Sequence, residues 1–188
     1  MEVLRRIPFL LENFKTDPLE WNRRNRAAFK QVRLRVNLKV FDLLERHEEE
    51  ILDSVHRMIL AAATRNRLVS YRSAGPRFVQ WHQRMALRHL MNSVRTRERG
   101  VFTTYCQDLA ERRFERGFSA EEVCETLDIV GLACLESLGK DPEIAGFERE
   151  LDDLITMTLR FGCDQVLDTF DELAVVRGPQ RESEHTGR

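Results

Sequence analysis

The chain has 188 residues, of which 42% are hydrophobic, and its 30 Lys/Arg against 31 Asp/Glu leave a net charge of −1. That length suits one domain with a real core, and the apolar fraction excludes wholesale disorder. No run of 18 uncharged apolar residues occurs and no small-residue cleavage site follows the N-terminal apolar stretch, so a cytoplasmic chain is expected.

Residues 1–16 form a short segment broken at Pro8, a helical domain is expected over 17–176, and the polar stretch 177–188 reads as a disordered tail. The pattern is helical almost throughout. Asp17-Pro-Leu-Glu20 places an acidic N-cap, a proline at the first helical position and a glutamate at the third. The helix that follows, Trp21 to Phe41, carries five arginines and two lysines on one face and no acid. Such a helix suits nucleic acid or an anionic membrane, or else a domain surface covered by arginine stems. A second helix is expected from Glu48 to Ala63, continuous with the first or separate from it.

Thr64 to Gly75 reads as a loop, closed by Gly75-Pro76. A helix over about Arg77–Val94 should turn Phe78, Trp81, Met85, Leu90 and Val94 inward. Another spans Val101–Arg116 and stops at Gly117, a residue free to take positive φ. Ser119-Ala-Glu-Glu122 is a capping box opening a helix to about Leu138, apolar all round at 129–135 and therefore central. Asp141-Pro142 should cap a long final helix to about Val176. Its expected stripe is Phe147, Leu151, Leu154, Thr158, Phe161, Val166, Phe170 and Leu173. At about 1.5 Å per residue that element outspans a small domain, so it protrudes or pairs with a second copy.

Charge is unevenly placed. Met1 to Arg97 holds 20 basic residues against 10 acidic, and Glu98 to Val175 holds 7 against 19. Either basic and acidic helices lie against each other, or the basic half meets an anionic partner. Because whole-protein nucleic-acid binders are usually basic overall, the first arrangement is favoured. Four cysteines, Cys106, Cys124, Cys134 and Cys163, sit in apolar helical stretches with no C-x-x-C, the pattern of reduced buried thiols and not of zinc or a disulfide framework.

Phosphate-loop, dinucleotide, zinc-protease and nucleophile-elbow patterns are all missing. Asp53-x-x-His56 has the spacing of half a di-iron site, but its only counterpart, Glu182-x-x-His185, lies in the tail. His82 and His89 share a helix face but stand about 10 Å apart by helical rise, too far for one metal ion. No enzyme, no catalytic residue, no metal site and no cofactor are therefore expected.

Arg113 is the odd residue. The helical repeat puts it on one face with Phe102, Cys106 and Leu109. In the last turn of its helix a cation meets the negative dipole end and can bond free carbonyls. The other reading is a ligand pocket of Trp81, His82, Phe102, Tyr105, Cys106, Leu109 and Arg113, with the guanidinium receiving an anion or a partner's acid.

The order FDLLERHEEEILDSVHRMIL, a Trp-bearing helix, TTYCQDLAERRFERGFSAEEVCETLDIVGLACLESL and a long last helix resembles bacterial sensor globins. It resembles still more their non-haem relatives, the N-terminal domains of stressosome proteins of the RsbR and RsbRD type (RsbT co-antagonists). The resemblance runs from about Leu38 to Leu173. In the haem-binding branch the proximal histidine stands four residues before the equivalent glycine. Arg113 holds that place here, and a guanidinium has no free lone pair for iron. The resemblance thus implies an all-α, globin-like helical bundle without haem. It implies a signal-transduction role in the stress response, with homodimers formed through the long C-terminal helix. The output domain would be a separate regulatory protein partner. A small-molecule ligand remains open, as do two weaker alternatives: nucleic acid or membrane at the basic half, and a haem sensor using His82 or His89.

Overall fold

In a computed structural model of the chain, residues 36–64 and 67–178 are described. The expected N-terminal segment, most of the cationic helix from Trp21 and most of the expected tail lie outside these residues. The chain divides after Val36, and the unit beginning at Asn37 is the one described here. It is all-α: among the described residues no strand occurs.

Helix α1 is described over residues 36–46, and α2, Glu48–Thr64, follows after a single turn residue. The His47 amide donates to the Leu43 carbonyl at 3.0 Å and the Ile51 amide to that of His47 at 2.9 Å, so helical bonding runs on through the joint. Leu43, Leu44, Ile51 and Val55 keep one apolar stripe buried across it. The stretch expected to be a loop contains a short helix, α3 (Val69–Ala74), because Leu68 and Tyr71 are spaced to bury together on one side of a turn.

Helix α4 (Pro76–Thr96) starts where Gly75, at φ +87°, turns the chain and Pro76 takes a first-turn position. Its core side is Val79, Gln83, Ala86, Leu87, Leu90, Met91 and Val94. Trp81 is 58% exposed, against the expectation that it points inward. The apolar residues of α4 form two stripes, and Phe78, Trp81, Met85 belong to the one that misses the core. α5 (Arg99–Glu115) ends as expected at Gly117, with φ +76°. α6 (Ala120–Leu138) opens with the complete capping box: Ser119 Oγ accepts from the Glu122 amide at 3.2 Å and Glu122 Oε2 accepts from the Ser119 amide at 3.4 Å. Glu122 Oε1 also accepts from the Ser70 amide at 2.8 Å, which ties α3 to the head of α6.

Asp141 does not cap the last helix. Its carboxylate accepts from the Glu143 amide and caps a 3-10 turn, Pro142–Ile144, that buries Ile144. The chain then reverses at Gly146 (φ +88°), and α7 runs for 30 residues, Glu148–Arg177. Its buried side is Leu151, Ile155, Thr158, Leu159, Gly162, Val166, Thr169 and Phe170, so Phe147 is the N-cap and Phe161 is 40% exposed.

α7 packs along α5 and α6, α2 lies on α6, and α4 lies on α5. The α5–α7 approach is close: a Cβ added at Gly162 would come within 2.5 Å of Phe102 Cε1 and 2.7 Å of Cys106 Sγ. Lys39 and Arg46 meet Glu143, and Arg67 meets Glu125, which are ion pairs between the basic and acidic halves. Arg84 and Arg88 of α4 pair instead with Glu48 and Glu49 of α2, inside the basic half.

Candidate functional site

Arg113 sits on α5, one turn from its end, and is fully buried. Three rings enclose its guanidinium carbon: Phe78 at 4.4 Å, Phe118 at 4.8 Å and Tyr71 at 5.3 Å from their centroids. Aromatic faces carry partial negative charge, so this cage offsets part of the cost of burying a cation. Nε donates to the Tyr71 hydroxyl at 3.4 Å, and Nη1 lies 3.3 Å from His82 Nε2. Among the described residues no carboxylate pairs with it, and Nη2 has no partner. Arg113 lies in the last turn as expected, but its side chain bonds no helix-end carbonyl. The carbonyl of Arg113 receives the amides of Arg116 and Phe118, while its side chain reaches away toward α3 and α4.

His82 completes the arrangement. Burial first, and then the charges of Arg113, Arg112 and Arg116, lower its pKa to about 3. A neutral ring can accept the Arg113 hydrogen at Nε2, which puts its own proton on Nδ1. Phe78 and Trp81 hold the imidazole edge-on, with centroids 4.3 and 4.5 Å away.

Outside this layer an open groove of about 1040 Å³ runs between α4 and α5. Phe78, Trp81, Met85, His89, Val101 and Tyr105 supply its apolar wall, and Arg112, Arg116, Asp108 and Glu98 its polar rim. His89 stacks on Tyr105 at 4.2 Å and 12°. Its pKa is lowered, chiefly by burial, and burial likewise raises that of Tyr105. On the inner side of Arg113 lies a cavity of about 20 Å³, also bordered by Gln83, Tyr105 and Leu109. Tyr105 Oη and Gln83 Nε2 are, like Arg113 Nη2, buried without a partner. Three such groups around one small space are unusual, because buried polar atoms normally find one.

Of the seven residues expected to form a pocket, Trp81, His82, Tyr105 and Arg113 line the groove and Leu109 lines the small cavity. Phe102 and Cys106 do not join them, since both face α7 at Gly162 and belong to the core. Sequence reasoning missed Tyr71, Phe78 and Phe118 as a cage, although Phe118 follows the helix stop and Phe78 lies four residues before His82. It also missed the pairing of Cys124 with Cys163, which are half-buried, unlike Cys106 and Cys134.

Among the described residues no three His, Cys, Asp or Glu side chains gather as metal ligands. His56 Nδ1 is buried without a partner, and Asp53 beside it is exposed. No described helix is long and apolar enough to cross a membrane. Comparison with known proteins found no matching family model, no matching curated protein and no matching solved structure.

Proposed function

We propose that this chain is a non-enzymatic sensor or regulatory module of the bacterial cytoplasm, akin to the non-haem, globin-like domains of stressosome proteins. One observation carries the proposal: a fully buried guanidinium with a free Nη2 donor and, among the described residues, no carboxylate, set behind an open, largely apolar groove. A carboxylate-bearing small molecule supplies the missing countercharge. Its apolar part fits against Phe78, Met85 and Tyr105, and Arg112 and Arg116 draw it to the mouth. Reaching Arg113 requires His82 and Phe78 to turn aside. The ligand therefore prefers a second arrangement of α4 against α5, and that difference in affinity shifts the population.

The output passes to a separate regulatory protein or through a homodimer. Leu132 of α6 and Leu167 of α7 are 53% and 43% exposed and border a second groove with Leu135 and Leu159, which supports a dimer face on the last two helices.

The test is a panel of aliphatic and aromatic monocarboxylates followed by amide NMR of the full chain. At least one should shift α4 and α5 resonances, and Arg113→Met should lose the response while staying folded. A panel without effect, or an Arg113→Met protein that responds equally, overturns the reading. Added haem should give no histidine-dependent Soret band, and a stoichiometric band would restore the haem alternative. Salt-sensitive binding to DNA or anionic vesicles would favour the basic-half alternative instead.

A further inference from the structure

Cys124 on α6 and Cys163 on α7 face each other across the seam between these helices. Cys124 Sγ donates to the Cys163 carbonyl at 3.7 Å, and Cys163 Sγ lies 4.0 Å from the Cys124 carbonyl. The contact is reciprocal, so each side chain points at the other's backbone. Both thiols border the open groove that contains Gly131, Leu132 and Arg160. Cys106 and Cys134, by contrast, are sealed in the core, where burial raises both pKa values, that of Cys134 to about 12. Buried thiols of that kind are inert, whereas half-exposed ones are open to a reagent.

The two members of the pair are not equivalent. A hydrogen bond from the Cys163 thiol lowers the pKa of Cys124, against burial and the charges of Asp128, Glu121 and Asp164, and the same bond, together with burial, raises that of Cys163. One sulfur is the better nucleophile and the other is held protonated beside it. Glu121, Glu125 and Asp128 border the groove together with Arg67 and Arg160, so its mouth is only weakly negative and an uncharged reagent meets no charge barrier there.

We propose that Cys124 and Cys163 form an oxidisable dithiol site for neutral hydroperoxides, closing to an intrachain disulfide between α6 and α7. The Cys124 thiolate attacks one peroxide oxygen. The O–O bond breaks, the leaving oxygen takes a proton as alcohol or water, and Cys124 becomes a sulfenic acid. Cys163 Sγ then attacks the Cys124 sulfur, the S–S bond forms, and hydroxide leaves and takes the Cys163 proton as water. Overall two thiols lose two electrons and one peroxide is reduced. The link bolts the two helices that carry Leu132 and Leu167, so it acts on a surface away from Arg113 and stands apart from the carboxylate proposal.

The experiment treats the reduced full chain with hydrogen peroxide. Expected are the loss of two of the four free thiols, a mass lower by about 2 Da and one peptide pair joined at Cys124 and Cys163. Cys163→Ser should stop at a sulfenic acid on Cys124 that a 1,3-dicarbonyl probe captures, and Cys124→Ser should slow peroxide consumption about tenfold or more. The wild-type mass and peptide map decide the matter even if a variant folds poorly. Oxygen added without a crosslink, capture at Cys163 in its place, or a link between two chains would each overturn the proposal.

Discussion

Two seams of this bundle bury very different things. Between α5 and α7 the helices approach so closely that Gly162 leaves no room for a methyl group, with Phe102 and Cys106 pressed against its backbone. Between α4 and α5 the interior holds a cation, a neutral histidine and polar atoms without partners, under an open groove. Close packing leaves one arrangement available, whereas a half-satisfied polar layer is where a second can lie near in energy. The first seam therefore reads as a fixed axis, and the second is where the proposed ligand would act.

The largest expected effect tests the axis. Gly162→Val must displace a buried ring and a buried sulfur, and overpacking of this kind costs about 3 kcal/mol, visible as a lower urea midpoint. A cost near zero would show that the seam yields and would erase the contrast. Ser119→Ala removes one half of the capping box and should cost about 1 kcal/mol, measured in the same way.

Arg113→Met should change stability by less than about 1 kcal/mol, since it leaves no stranded carboxylate behind and keeps the volume. Two residues equally hidden from water would then differ severalfold in what their replacement costs. The same variant should raise the His82 pKa from about 3, by removing a nearby positive charge, as followed by imidazole NMR. A His82 value that does not move would mean that burial, with Arg112 and Arg116, holds it down without Arg113.

A separate effect lies in the pH dependence. His82 has a folded pKa of about 3, below an unfolded value near 6.5. Its stabilising contribution is complete above about 6.5. As pH falls from there toward 3 the unfolded chain takes up a proton that the folded chain refuses, and stability is lost. His47 has the opposite sign. Hydrogen bonds to Asp141 and then Glu50 raise its pKa, so its contribution is present below the unfolded value and lost as pH rises through the folded one. Urea melts of wild type, His82→Phe and His47→Gln between about pH 5 and about pH 8 should show the acid-side slope flattening in the first variant and the base-side slope in the second.

Much of this was legible because it is local. Gly117 and Ser119-x-x-Glu122 announce a stop and a start within six residues, and the helical repeat alone puts Arg113 on the buried side of its helix. What was not legible depends on which helix faces which. Trp81 looks like a core residue until α4 is seen to carry two apolar stripes, and a six-residue helix at Val69 has too few turns to show a period. Asp141-Pro142 has the form of a long-helix cap, and only Gly146 reveals that the helix waits until Glu148. Cys124 and Cys163 are 39 residues apart, and nothing short of the folded α6–α7 seam could pair them.

The length of α7 gives its tight crossing a further meaning. Gly162 sits halfway along a rod of 30 residues, and beyond it the helix continues to Val175 and Val176, which are 80% and 84% exposed. Past the glycine the helix stays docked on α5: Phe170 meets Phe114 edge-on at 5.5 Å and Arg177 covers the same ring at 4.5 Å. The far half of α7 would therefore move only together with α5, and just its last turn stands clear for another surface to grip.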